Sequence, residues 1–337
     1  MSYRRFDTDD IVVSADSITA PAWTNNTVNL TTFFTDSTQV AADSGKYYHY
    51  VYNSTDASSR EIQFSLAHGN RLGSGSQLYD GGINDKSYSS TVYGQFRTLL
   101  LGDEDTDFTF DNDGTVETPE NVYFISVHRA RFKEKLFPGS ITLAISGSTG
   151  GNGTTNLKLT DNSKNVATDT FVDGGRVYSL YTGSLGVISS SAVEYGKLFP
   201  DVGVIALNGD LLSSSNYLSG SDVLPINDSN TADSSITPLF AALVSGSEFR
   251  LRSDETLSSN FVFVRARNSE FNYSTNPSNI TGSGELRHSV MIDNPQSYIT
   301  SVGLYNDNND LLAVAKLSTP LLKDFTKEAL IRIKLDY

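Results

Sequence analysis

Apolar residues in this chain come in short runs that alternate with polar ones, and clusters of Gly, Ser, Asn and Asp separate the runs. A period of two puts every second side chain on one face of an extended backbone, which marks a half-buried β-strand. The pattern predicts strands over residues 47–52 (YYHYVY), 61–66 (EIQFSL), 121–127 (NVYFISV), 140–146, 156–160, 176–181, 203–207 and 261–267 (FVFVRAR). Further on, runs 298–305 and 311–317 flank the cluster Asn306-Asp307-Asn308-Asn309-Asp310. Asn and Asp tolerate the left-handed backbone of a tight turn, so these runs predict a hairpin. A last run, 330–335 (LIRIKL), predicts a strand with Leu330, Ile331, Ile333 and Leu335 towards a core and Arg332 and Lys334 towards water.

Helical signals are few. Residues 93–101 (YGQFRTLLL) fit a short helix or a buried strand, and 238–245 (PLFAALVS) fit a short helix with Thr237 as cap and Pro238 at its first position. The strand spacing is that of sandwiches and not of βαβ units. The expected fold is therefore mainly β: sandwich-like antiparallel domains with an extended N-terminal arm and one or two short helices. The expected division is an arm over 1–45, a β-rich domain over 46–207, a polar connector with a short helix over 208–259, and a C-terminal β domain with a terminal hairpin over 260–337.

The arm carries the only tryptophan, Trp23, together with Phe33 and Phe34. Large aromatics on a sparse segment bury themselves either on the chain's own body or on another subunit. All three are candidate interface residues, and removing residues 1–30 is expected to leave the body folded. Segment 68–90 reads as a Gly-rich surface loop without the glycine spacing of a phosphate cradle opening a helix, and 147–155 reads as another Gly/Ser/Thr loop.

Composition narrows the chemistry. The chain has 337 residues, enough for a sizeable core, and no cysteine, which excludes disulfides, thiolate nucleophiles and cysteine-ligated zinc. Its 17 Tyr and 18 Phe, set among turn formers, suit many short strands. A net charge of −14 argues against a nucleic-acid partner. The start MSYRRFDTDD lacks an apolar core, so no signal peptide is expected, and no apolar window is long enough for a membrane span.

Candidate chemistry is sparse. His49, His68, His128 and His288 have no metal-ligand spacing. Segment 109–120 (TFDNDGTVETPE) is a weak calcium-loop candidate, with Asp111, Asp113, Gly114 and Glu120 at positions three, five, six and twelve, but Thr109 replaces the first Asp and the flanks read as strands. No GxSxG motif sits at a strand-to-helix turn, and no carboxylate pair stands out. No catalytic residue and no cofactor is assigned. Arg129, Arg131 and Lys133 form a basic patch in an acidic chain, which suits either a solvated turn or contact with an acidic neighbour.

Several segments carry a resemblance as a set: EIQFSLAHGNRLGSGS (61–76), VYGQFRTLLLGDED (92–105), FTF (108–110), YFISVHRARFKEKLFPGSITLAIS (123–146), LKLTDNS (157–163), YGKLFPDVGVIAL (195–207) and VRARNSEFNYSTNPS (264–278). Together they resemble virion structural proteins of contractile-tailed phages, especially myoviruses of marine bacteria and cyanobacteria. The hairpin VGLYNDNNDLLAVAKL (302–317) is similar to attachment domains near the base of phage tail fibres. The resemblance implies a non-enzymatic building block of the tail or baseplate, assembled in the host cytoplasm and held in the virion by other virion proteins, in several copies per particle. It carries over no catalytic residue. A receptor- or glycan-binding adhesin is the rival reading, with Tyr79, Tyr88 and Tyr217 as aromatics able to stack on sugars; a neck or head position is another.

Overall fold

The computed structural model describes residues 5–36, 47–71, 88–148, 154–218 and 232–336. Its elements in chain order are β1 (Ile11–Pro21), β2 (Asn29–Leu30), β3 (Tyr48–Tyr52), β4 (Ile62–Asn70), α1 (Tyr88–Leu101), β5 (Phe110–Asn112), β6 (Thr115–Glu117), β7 (Asn121–Val127), β8 (Lys135–Leu136), β9 (Thr142–Ser148), β10 (Thr154–Asp161), β11 (Thr170–Val172), β12 (Gly175–Ser184), β13 (Val187–Ser190), β14 (Gly196–Phe199), β15 (Val204–Asn208), α2 (Gly209–Ser214), α3 (Ala232–Gly246), β16 (Phe249–Arg250), β17 (Arg252–Ala266), α4 (Val290–Asp293), β18 (Ser297–Tyr305), β19 (Leu311–Lys323) and β20 (Ala329–Asp336). The chain is mainly β, with 47% strand, 15% helix and four short helices among the described residues. None of these helices is long and apolar enough to cross a membrane.

Two compact units divide the chain: a larger one, Ile18–Glu255, and a smaller one made of Met1–Ser17 with Thr256–Tyr337. The boundaries fall inside β1 and β17, not at the expected segment ends. Residues 18–36 belong to the larger unit, and so does most of the expected connector, whose α2, α3 and β16 supply Leu212, Ile236, Leu239, Leu243 and Phe249 to the core.

In the larger unit an antiparallel sheet runs in the order β2-β16-β9-β10-β12-β14-β15-β7-β4-β3, with β11 and β13 beside β12. Its central strands are apolar on both faces because both faces are covered. From β7, Tyr123, Ile125 and Val127 enter one cluster with Ile236, Leu239 and Leu243 of α3, while Val122 and Phe124 enter a second with Val92, Tyr93 and Leu100 of α1. β15 divides the same way, Ile205 and Leu207 against Val204 and Ala206. Gly69 lets α1 approach β4: a Cβ there would stand 2.9 Å from both the Tyr93 backbone and the Phe124 ring.

Residues 93–101 are helical, within the longer α1. The expected helix over 238–245 is part of α3, which starts at Ala232, so Pro238 lies inside it and removes one intrahelical hydrogen bond, instead of opening it after a Thr237 cap. Residues 68–70 are strand and 88–90 are helix; Gly73, Gly75, Tyr79, Gly81 and Gly82 of the expected loop lie outside the described residues.

The smaller unit has two layers. β17 pairs antiparallel with β20 from Ser259↔Asp336 to Ala266↔Ala329, in the sheet order β1-β17-β20. The predicted hairpin is β18–β19, closed over Asn306 with Asn309 at φ 64°. Val262, Leu304 and Ile333 meet between the layers, with Val264, Val302, Ala313, Ala315, Ile331 and Leu335 against them. Leu330 departs from the expectation: it is 66% exposed, because it shares the outer face of β20 with Arg332 and Lys334 while Ala329 and Ile333 are buried.

Candidate assembly surface

A polar network lies at the start of β7. His68 Nε2 sits 3.0 Å from Asn121 Oδ1, Asn121 Nδ2 donates to Asp210 Oδ1 at 2.8 Å, and the backbone N–H of Glu120 donates to Asp210 Oδ2 at 2.7 Å. Close by, Asp107 accepts from the Tyr93 hydroxyl at 3.1 Å and pairs with Arg97 at 3.4 Å. Burial pushes the His68 imidazole down to about 4, against smaller opposing effects of the Asn121 hydrogen bond and the Asp210 charge. A ring so buried stays neutral near pH 7; it ties the first turn of α2 to β4 and β7.

The calcium-loop candidate folds otherwise. β5 and β6 form a hairpin over Asp113 and Gly114, with φ of 50° and 82°, the backbone of a two-residue type I′ turn. Asp111 Oδ1 accepts from the Gly114 N–H at 2.8 Å, while Glu120 faces Arg71 at 3.9 Å. Among the described residues no group of three His, Asp or Glu side chains is placed to hold a metal. The Asp-Gly pair that matched a metal loop serves as turn chemistry.

Two of the interface candidates are corrected. Trp23 is 2% exposed: its indole N–H donates to the Phe249 carbonyl at 2.9 Å, and its ring packs on Phe249 and Phe64 at 5.0 and 6.2 Å. Phe33 is buried edge-on against Phe64. The pairing of β2 with β16, Leu30 opposite Phe249, draws this stretch into the core. Removing residues 1–30 therefore takes Trp23 and Leu30 out of the core and does not leave an intact body. Phe34 is half-buried and bridges to Tyr52. Of the basic patch, Arg131 is held by Glu61 at 3.0 Å and Thr24 at 2.5 Å, and Arg129 lies over the Phe132 ring at 4.6 Å. Lys133 is exposed and 3.8 Å from Glu255. Tyr88 packs edge-on to Tyr47, and Tyr217 borders an open depression of about 450 Å³ with Asn156, Lys158, Thr182 and Ser184.

Exposed apolar surface concentrates instead on the smaller unit. On the hairpin, Tyr298, Leu311, Leu312 and Val314 are all more than half exposed. Tyr305 stands opposite Leu311 and Gly303 opposite Val314, so the outward side chains of the two strands adjoin. On β1, Ile11, Val12 and Val13 are exposed as well. The signal was in the sequence: Leu311-Leu312 and Ile11-Val12-Val13 are unbroken apolar runs, and a strand with one core face cannot bury consecutive residues. Comparison of the chain with protein-family models, with curated proteins and with solved structures gave no match.

Proposed function

We propose that this protein is a non-enzymatic structural component of a contractile-tailed phage particle, in its tail or baseplate, where it holds neighbouring subunits together. One observation supports the reading most: the smaller unit turns its hairpin residues Tyr298, Leu312 and Val314 outward instead of into a core. Adjoining exposed apolar side chains mark a surface made for another protein. The segment resemblance to virion proteins supplies the setting, and other virion proteins are the partners. Mass spectrometry and immunogold labelling of purified particles test the reading. Label at the tail or baseplate is expected, together with defective tails when the gene is removed. Intact, infectious particles lacking the chain overturn it.

The depression beside Tyr217 favours a second reading, a glycan-binding adhesin, since an aromatic ring among amide, hydroxyl and ammonium groups is the equipment of a sugar site. Reproducible binding on a glycan array, lost in Tyr217→Ala, selects it.

A further inference from the structure

Lys323, at the end of β19, is fully buried, and Asn272 beside it is 2% exposed. Lys323 Nζ donates to Asn272 Oδ1 at 2.6 Å and to the backbone carbonyls of Asn268 and Asp324 at 3.1 and 2.9 Å. All three acceptors are neutral, and among the described residues no carboxylate oxygen forms an ion pair with this ammonium. A buried charge without a counter-charge costs stability for as long as it is kept.

The contact has the geometry of an attack. An amide carbonyl bond is about 1.2 Å long, so Asn272 Cγ lies within about 3.8 Å of Lys323 Nζ, close to the distance at which a nucleophile reacts. Asn272 Nδ2 donates at 2.7 Å to the Asn268 carbonyl, the same oxygen that accepts from Lys323. The attacking nitrogen and the leaving nitrogen therefore sit side by side. The backbone is held for this contact. Phe271 stands at φ 54°, a left-handed conformation that bulky residues rarely adopt, and its carbonyl accepts from the hydroxyl of Ser297, the residue opposite Lys323 in the β18–β19 register. Strain of this kind persists where the surroundings enforce it, and it clusters at functional positions.

We infer that Lys323 and Asn272 join in an intramolecular isopeptide bond, a single self-modification of the folded smaller unit. The Nζ lone pair forms the bond to Asn272 Cγ, and the Cγ–Nδ2 bond breaks with its electron pair going to nitrogen. Two protons pass from Nζ to Nδ2, which leaves as ammonium. One ammonium and one amide become one amide and one ammonium, so the balance closes without an oxidant, a reductant or a further reactant. The positive charge leaves the interior with the released ammonium. Until the bond forms, Lys323 keeps its amine; afterwards no reagent acylates it, even in an unfolded chain.

The bond joins residues 51 apart and ties the segment after β17 to the β18–β19 hairpin. The smaller unit buries only five hydrophobic side chains among the described residues, and the chain has no cysteine for a disulfide. A covalent cross-link restricts the unfolded chain where a small core contributes little. The inference does not depend on the proposed place in a virion.

Mass spectrometry of the full chain, purified and kept folded at neutral pH, tests it. The wild type is expected to be lighter than its sequence by one ammonia. Trypsin cannot cut after an acylated lysine, so the digest is expected to hold a branched peptide joining residues 268–287 to residues 317–327. Lys323→Arg and Asn272→Ala are each expected to keep the full sequence mass and to lack that peptide. Separate peptides 317–323 and 324–327 from the wild type, cut after a free Lys323, overturn the inference whether or not either variant folds. Loss of ammonia without the branched peptide, or equal loss in Lys323→Arg, overturns it as well.

Discussion

The two units of this chain spend their apolar residues in opposite ways. Among the described residues the larger unit buries 43 hydrophobic side chains and exposes eight large ones, while the smaller buries five and exposes sixteen. In the larger unit, α1 and α3 cover the two faces of one sheet, so strands such as β7 are apolar throughout. In the smaller unit a two-stranded layer covers one face of a narrow sheet, so alternate residues have nowhere to go. The lesson is that the same β-rich sequence style builds a sheet covered on both faces in one place and leaves much apolar surface exposed in the other.

The contrast breaks first at Trp23. Trp23→Ala removes a ring packed between Phe64 and Phe249 and leaves the Phe249 carbonyl without its donor; a loss of about 3–5 kcal/mol in urea unfolding is expected. A loss below about 1 kcal/mol would show that this segment is not core. Next is pH. His68 is neutral in the folded chain down to about pH 4 and titrates near 6.5 when unfolded. Between these values the unfolded state holds the extra proton, so stability is complete above pH 6.5 and falls as the pH drops towards 4, by up to roughly 3 kcal/mol. Urea midpoints between pH 7 and 4 measure the slope, and His68→Gln is expected to flatten it. Smaller still is Leu304→Ala, expected to cost about 2 kcal/mol and to speed hydrogen exchange in the smaller unit while leaving β7 and β15 protected. Leu330→Ser, on an exposed position of the same unit, is expected to change stability by less than about 0.5 kcal/mol.

Much of the fold was legible because period-two alternation is local. β7, β9, β15 and the β18–β19 hairpin lie close to where the pattern puts them, whereas β17 begins at Arg252, nine residues before the expected strand. What was illegible depended on distant partners. Trp23 reads as an arm residue until Phe249, far along the chain, closes over it. The stretch around α3 reads as a polar connector until its apolar face meets β9 and β4. Leu330 reads as core because a one-residue choice of face is not visible in an unbroken Leu-Ile pair. The candidate surface was half legible: the hairpin was seen, but its outward apolar side was not, since alternation says which residues share a face and not which face is covered.

Lys323 lends itself to chemical labelling. It is fully buried at the end of β19, and its ammonium donates to the Asn268 carbonyl at 3.1 Å, Asn272 Oδ1 at 2.6 Å and the Asp324 carbonyl at 2.9 Å. An amine-reactive reagent that acylates Lys133 at once reaches this nitrogen only when those three oxygens let go. The rate at which Lys323 takes the label is therefore a clock for the opening of the smaller unit, readable by mass spectrometry in the free chain and in any assembly that contains it.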